Sequence, residues 1–214
     1  MMDSREYWEK CWQDEDPEAL QQYLAGYCGL DSEEINLFRQ NGVRKICDAA
    51  CGFGAYTLAF ASNGFEVKAF DISQRAVNIA RAGLAKFGFG SVEIKTAEIK
   101  STGYDDGEFD AVLAHCVIDH MTQTDAQKAI AELYRITRKG GLILVSFDTA
   151  QEEDFIHEHE LLPDGSMKYT GSSERAGMIF RPYDWNMILE LLGEENIMYR
   201  SANPKGEQIA VISK

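Results

Sequence analysis

Two rhythms of apolar positions alternate along the middle of this chain. The short runs "KICDA", "EVKAFD", "VEIKT", "FDAVLAH" and "GLILVSFD" predict strands. Between them, "AYTLAFASNG", "SQRAVNIARAGLAKFG" and "TDAQKAIAELYRITRKGG" carry apolar residues at helical spacing. Each of these helices is expected to run to its closing glycines, and Ser73 stands where the second needs an N-cap. An order of strand, helix, strand, helix calls for a mainly parallel sheet with helices on both faces. The most apolar runs suit strands covered on both sides.

The flanks read differently. The first 44 residues are polar and helical in pattern. "SREYWEKCW" sets Tyr7, Trp8, Cys11 and Trp12 on one helical face. A second helix follows Asp16 and Pro17, and a third is capped by Asp31 or Ser32 and ended by Gly42. After Asp148 the alternation stops, and residues 149–182 read as polar and irregular. "YDWNMILELLG" predicts a helix. "ENIMYRSA" and "EQIAVISK" predict two antiparallel strands joined by the turn signal "NPKG". The expected fold is α/β: a doubly wound, seven-stranded, Rossmann-like sheet, mainly parallel with an antiparallel last strand, and helices on both faces. A single domain over residues 1–214 is expected. It divides into a helical cap (1–44), a ligand-binding core (45–148), an insertion (149–182), and a closing helix and hairpin (183–214).

Composition narrows the function classes. Twenty-one basic against 35 acidic residues give a formal charge of −14. Such a field repels phosphate backbones, and no basic stripe with interleaved aromatics breaks it, so no nucleic-acid partner is expected. The opening "MMDSREYWEKCW" has no apolar core of a signal peptide, and no run approaches the ~18 apolar residues of a membrane span. Five cysteines without a CxxC pair read as reduced thiols, so the expected location is cytoplasmic, with no membrane partner.

The candidate chemistry sits in "DAACGFGAYT", residues 48–57, between a predicted strand and a predicted helix. Glycine there lets backbone N–H groups approach a ligand closely. The loop fits a dinucleotide site, a phosphate cradle, another nucleoside site or a bare turn. The next strand ends at Asp71, nineteen positions after Gly52, where a carboxylate can accept from ribose hydroxyls. A dinucleotide is disfavoured because Thr57 stands where the third glycine of G-x-G-x-x-G belongs, and a P-loop is excluded because no Gly-Lys-Ser/Thr follows.

On these residues the chain resembles the class I S-adenosylmethionine-dependent methyltransferases. "DAACGFG" looks like their Asp-x-Gly-x-Gly-x-Gly motif, with Ala50 in place of the first glycine. The substitution is tolerable if Ala50 keeps φ below zero. Asp71 matches the acid that holds the ribose, and "AEI", 97–99, resembles the adenine-contact segment. "FDAVLAHCVIDHM" and "LYRITRKGGLILVSF" resemble the fourth- and fifth-strand motifs. The resemblance covers residues 45–148 and implies a last strand inserted antiparallel between the fifth and sixth. It implies a methyl transfer from S-adenosyl-L-methionine to a small-molecule acceptor, leaving S-adenosyl-L-homocysteine. Its implied cofactor-binding residues are Asp48, Ala50, Gly52, Gly54, Asp71, Ile72, Glu98, Ile99, His115 and Trp8.

Acceptor chemistry is less marked. His115 and His120 are the candidates for a catalytic base, although a backbone contact for His115 and a structural hydrogen bond for His120 are the favoured readings. Positioning is therefore expected to dominate the rate. Trp8 and Trp12 read equally as a lid over the cofactor or as anchors of the first helix. Arg175 and Arg181 are candidates to pair an anionic acceptor or to form surface salt bridges. "HEH", 157–159, does not place two ligands on one helical face, and Ala114 or His115 stands where metal-dependent relatives carry aspartate, so no metal is expected. The alternative function is a catalytically inactive protein of the same fold that binds the cofactor or supports a partner.

Overall fold

The computed structural model describes residues 3–13, 15–202 and 206–214. The core is a seven-stranded sheet of order β3-β2-β1-β4-β5-β10-β9. Its strands are β1 (Lys45–Ala49), β2 (Glu66–Asp71), β3 (Glu93–Thr96), β4 (Phe109–Ala114), β5 (Thr137–Phe147), β9 (Ile197–Ala202) and β10 (Gln208–Ser213). The first five pair in parallel. β10 runs antiparallel between β5 and β9, as the resemblance implies. Three residues of the "NPKG" turn, 203–205, lie outside the described residues.

Alternation along each strand sorts the core into two layers. In β4, Val112 and Ala114 join the cluster of α6 (Gln123–Ile136) and α8 (Trp185–Leu192). Ala111 and Leu113 face the opposite way, toward α3 (Glu33–Gln40) and α4 (Ala55–Ser62). α5 (Gln74–Lys86) packs on β2, β3 and α4, and is capped by Ser73, whose hydroxyl accepts from Ala76 N–H. Gly83 in α5 admits α2 (Pro17–Leu24): a Cβ there would lie 2.6 Å from Leu24 Cδ1. The N-terminal helices are thereby seated on the core. The first of them, α1 (Ser4–Cys11), starts in a capping box of Asp3 with Glu6.

Two expectations are corrected. The sixth helix does not run to its glycines. It stops at Ile136, and β5 begins at Thr137, whose hydroxyl donates to Leu133 O at 2.7 Å. Gly140 and Gly141 instead exchange backbone bonds with Lys214, and a Cβ on Gly141 would lie 2.7 Å from Asp110 O. The glycines serve strand packing beside a register shift in β4–β5.

Residues 149–182 are not irregular. They form α7 (Glu152–Ile156) and a three-stranded antiparallel sheet of β6 (His159–Leu161), β7 (Met167–Tyr169) and β8 (Ile179–Phe180). Strands of two or three residues are too short to show a period of two. Met167, Tyr169 and Phe180 are buried between this sheet and its own loops. Among the described residues no helix is long and apolar enough to cross a membrane.

Candidate functional site

The glycine loop leaves β1 at the carboxyl edge of the parallel strands, where ligands of open α/β sheets bind. Gly52 and Gly54 have φ of +53° and +89°. A Cβ on Gly54 would lie 2.9 Å from Leu84 and 3.1 Å from Ala80, so this glycine lets α5 close on the loop. A Cβ on Gly52 would point at the Trp12 indole, 3.1 Å away. Ala50 departs from expectation: its φ is +59°, not negative. The first motif position therefore needs the left-handed conformation for which glycine is suited, and alanine holds it at a cost of about 1–2 kcal/mol.

Asp48, at the end of β1, is buried and accepts from the Thr57 hydroxyl at 2.5 Å. Burial pushes its carboxyl up to about 6, against the lowering effect of that hydrogen bond. Asp71, at the end of β2, is 6% exposed. It accepts from the backbone N–H of Gly52 and of Ser73, each at 2.9 Å. Burial raises its pKa, opposed by these same bonds.

α1 lies across this edge. Its Glu9 accepts from the Ser73 hydroxyl at 2.6 Å, and Trp12 covers Gly52. Its Arg5 pairs with Glu98 at 3.3 Å. Ile72 is half-buried and Ile99 buried. Trp8 packs edge-on against Tyr7 and against His120, with ring centroids 5.1 and 5.0 Å away.

His115 follows β4. Its Nε2 lies 2.9 Å from Glu207, and its ring lies 4.6 Å from that of Tyr56. Burial pulls His115 down, but the Glu207 hydrogen bond and charge outweigh it and raise the pKa. Burial pushes Glu207 up, and His115, helped by hydrogen bonds from Ser146 and Cys116, more than reverses this, holding it at about 2. Cys116 is held at φ +45° by its N–H bond to the Ser146 hydroxyl, 3.0 Å.

Asp119 is fully buried. Its Oδ2 accepts from Asp148 N–H at 2.9 Å, while Oδ1 has no hydrogen-bond partner. His120 Nδ1 is likewise buried without one. Among the described residues two groups of metal-capable donors each have their donor atoms within 4.8 Å of one another: His115, Cys116 and Glu207, and Asp119, His120 and Asp148. The "HEH" histidines belong to neither. His157 and His159 pack against the Tyr169 ring.

A cavity of about 810 Å³ opens between α1, the end of β5 and the small sheet. His120, Asp148, Phe180 and Glu207 line it, with Tyr7 and Cys11 of α1. Arg175 reaches the cavity but is held by Asp154, and by Glu153 at 3.4 Å. Arg181 lies elsewhere, buried on Tyr183 and donating to the Asp164 carbonyl. Sequence reasoning missed Glu207, Asp148 and Tyr56. Glu207 was legible in principle: an antiparallel strand inserted beside β5 starts at the edge where the parallel strands end.

A sheet of this order, with a glycine loop after its first strand and a buried carboxylate ending the second, defines the class I methyltransferase fold. Residues 47–145 match the family model described as a methyltransferase domain. Over those residues the chain is similar to methyltransferase domains, and its sheet has the fold of solved S-adenosylmethionine-dependent methyltransferases. The ubiquinone biosynthesis O-methyltransferase of Thiobacillus denitrificans is 27% identical over 134 residues, 59% of this chain and 56% of that protein. The demethylmenaquinone methyltransferase of Clavibacter sepedonicus is 32% identical over 101 residues, 47% and 40% of the two chains. This chain therefore spans about half the length of the curated relatives it matches. A structure titled as a SAM-dependent methyltransferase from Methanosarcina mazei superposes with TM-score 0.68 at 19% identity, covering 86% of this chain and 99% of that one.

Proposed function

We propose that the protein transfers the methyl group of S-adenosylmethionine to a small molecule held in the 810 Å³ cavity. One observation carries the reading: the glycine loop and the buried Asp71 carboxylate converge at the sheet edge that this cavity adjoins. The residues fit the cofactor. Gly52 leaves its backbone bare beneath the Trp12 ring, which a Cβ would crowd, and Asp71 presents a carboxylate already oriented by two backbone N–H groups. Asp71 and Ile72 would hold the ribose, and Glu98 and Ile99 the adenine. Asp48, Ala50, Gly52, Gly54 and the His115 backbone would hold the methionine end, with Trp8 of the N-terminal cap closing over it. The bound cofactor supplies a methyl group already activated on a sulfonium.

The chain's own task is then alignment and exclusion of water, which can contribute on the order of 7 kcal/mol or more. α1 closes one side of the site, and the 149–182 insertion walls the acceptor side. The Glu207 carboxylate favours the protonated form of His115, which argues against His115 as a base. Calorimetry should show S-adenosylmethionine and S-adenosylhomocysteine binding while NAD does not. Incubation with a metabolite extract should then yield S-adenosylhomocysteine, and His115→Ala and His120→Ala should keep measurable turnover. No binding of either sulfur compound would remove the reading. A loss of ~10³-fold in single turnover for one histidine variant, with cofactor affinity intact, would replace alignment by base catalysis.

A further inference from the structure

The walls of the acceptor cavity are unevenly charged. Glu15, Asp148, Glu153, Asp154, Glu174 and Glu207 line it, against only Lys10 and Arg175. Arg175 is committed to Asp154 and Glu153, and His115 to Glu207, which leaves Glu15, Asp148 and Glu174 against Lys10 as the wall's unbalanced charge. A second observation points the same way. Behind the wall, fully buried Asp119 keeps Oδ1 without a partner, and one of its carboxylate oxygens lies within 4.8 Å of donor atoms of His120 and Asp148, which both face the cavity. The apolar part of the wall is aromatic and soft: Tyr7, Phe180 and Met178. Carboxylates beside aromatic faces recognise ammonium groups through charge and the ring quadrupole, and they repel carboxylate or phosphate acceptors.

We infer that the acceptor is a small primary or secondary amine, bound as its ammonium form among these carboxylates. This rests on the methyltransferase reading of the same site. The ammonium first gives a proton to water. The neutral nitrogen's lone pair then forms the N–CH₃ bond as the CH₃–S bond breaks, and that electron pair stays on sulfur. The positive charge passes from sulfonium to the N-methylammonium product, which sheds a proton to water on release. An acidic cavity offsets the repulsion between a cationic acceptor and the sulfonium beside it, a need that neutral or anionic acceptors do not impose.

The test uses a size-matched pair of probes, phenethylamine and 3-phenylpropanoate, titrated by calorimetry into the full chain with and without S-adenosylhomocysteine. The amine should bind about tenfold or more tightly than the carboxylate, with an advantage that shrinks as salt rises. In the Glu15→Gln/Glu174→Gln variant, whose two sites are exposed, that advantage should fall severalfold. Equal or tighter binding of the carboxylate overturns the inference, as does no binding of either probe or an advantage unchanged in the variant. Stoichiometric binding of Mn²⁺ that abolishes the amine's advantage also overturns it, by assigning the negative wall to a metal. S-adenosylhomocysteine titrated alone reports on the cofactor reading separately.

Discussion

Replacing Asp71 by asparagine tests the cofactor site with almost no change in volume. Asp71 now accepts two backbone N–H bonds, from Gly52 and Ser73, both at 2.9 Å. Asparagine has one acceptor oxygen, so one N–H would face an amide donor instead. Leaving a buried donor unsatisfied costs about 1–3 kcal/mol, which sets the expected fall in stability. The carboxylate's charge is lost as well. Hydrogen bonds to a charged acceptor are roughly twice as strong as neutral ones, so S-adenosylhomocysteine should lose about 1–3 kcal/mol, or 5- to 150-fold in Kd. Gly52→Val should cost more affinity, because it adds bulk where the Trp12 ring already stands 3.1 Å from an ideal Cβ. The assay is calorimetric titration of S-adenosylhomocysteine at 25 °C, with thermal unfolding of the same preparations. If Asp71→Asn unfolds earlier yet binds within twofold of the parent, Asp71 only braces the loop, and its assignment to the ribose is wrong.

Three further outcomes follow from the geometry. Asp48 is raised to about 6 by burial, so its native form favours the proton: the stability it contributes is full below about pH 4 and is lost as pH rises through 6. Asp48→Asn should therefore match the parent at low pH and exceed it by roughly 3 kcal/mol above pH 6; denaturant melts at both pH values check this, and no gain at high pH would refute it. The His115–Glu207 pair has the opposite profile at its two ends. Glu207 stabilises above its ordinary carboxylate range and loses this as pH falls through about 2, while His115 stabilises below the ordinary imidazole range and loses it as pH rises through its elevated value. Glu207→Gln should thus cost most between about pH 4.5 and 6.5, and a pH-independent cost in thermal melts would count against the pair. Ala50→Val should destabilise by about 2 kcal/mol in urea, because a β-branched residue fits φ +59° poorly, while Ala50→Gly should gain up to about 1 kcal/mol, the relieved strain less glycine's backbone entropy; equal melts for the two would show that the loop relaxes freely.

Much of the core was legible because its signals are local and repeated. "KICDA", "EVKAFD" and "FDAVLAH" announce strands by β-branched and apolar runs, and Ser73 announces a helix by its hydroxyl. The Asp71 position was legible because chain spacing fixes it at the end of the second strand. What failed was either too short or nonlocal. The strands 159–161, 167–169 and 179–180 have no room for a period, and they exist because Met167, Tyr169 and Phe180 bury one another. The Thr137 boundary was hidden because glycine after a helical run normally ends a helix, whereas here Gly141 admits the Asp110 carbonyl. Glu207 meets His115 across 92 residues of chain, a distance no motif spans.

The same limit bears on the two arginines that the sequence offers either as partners of an anionic acceptor or as salt-bridge formers. In the sequence, Arg175 and Arg181 are the only guanidinium groups of the insertion, and a guanidinium suggests an anionic partner. In the fold each is consumed at home, Arg175 by Asp154 and Glu153, and Arg181 by the Asp164 carbonyl and the Tyr183 ring. What remains to face the cavity is the charge those arginines do not neutralise. Asp148 follows β5, Glu15 lies in the N-terminal segment and Glu174 in the insertion, while Glu207, just before β10, faces the cavity already paired with His115. Four parts of the chain, none acidic enough alone to signal a site, place their carboxylates on one wall. Sign of charge at a site is thus a property of the fold's convergence, which no single segment of the sequence displays.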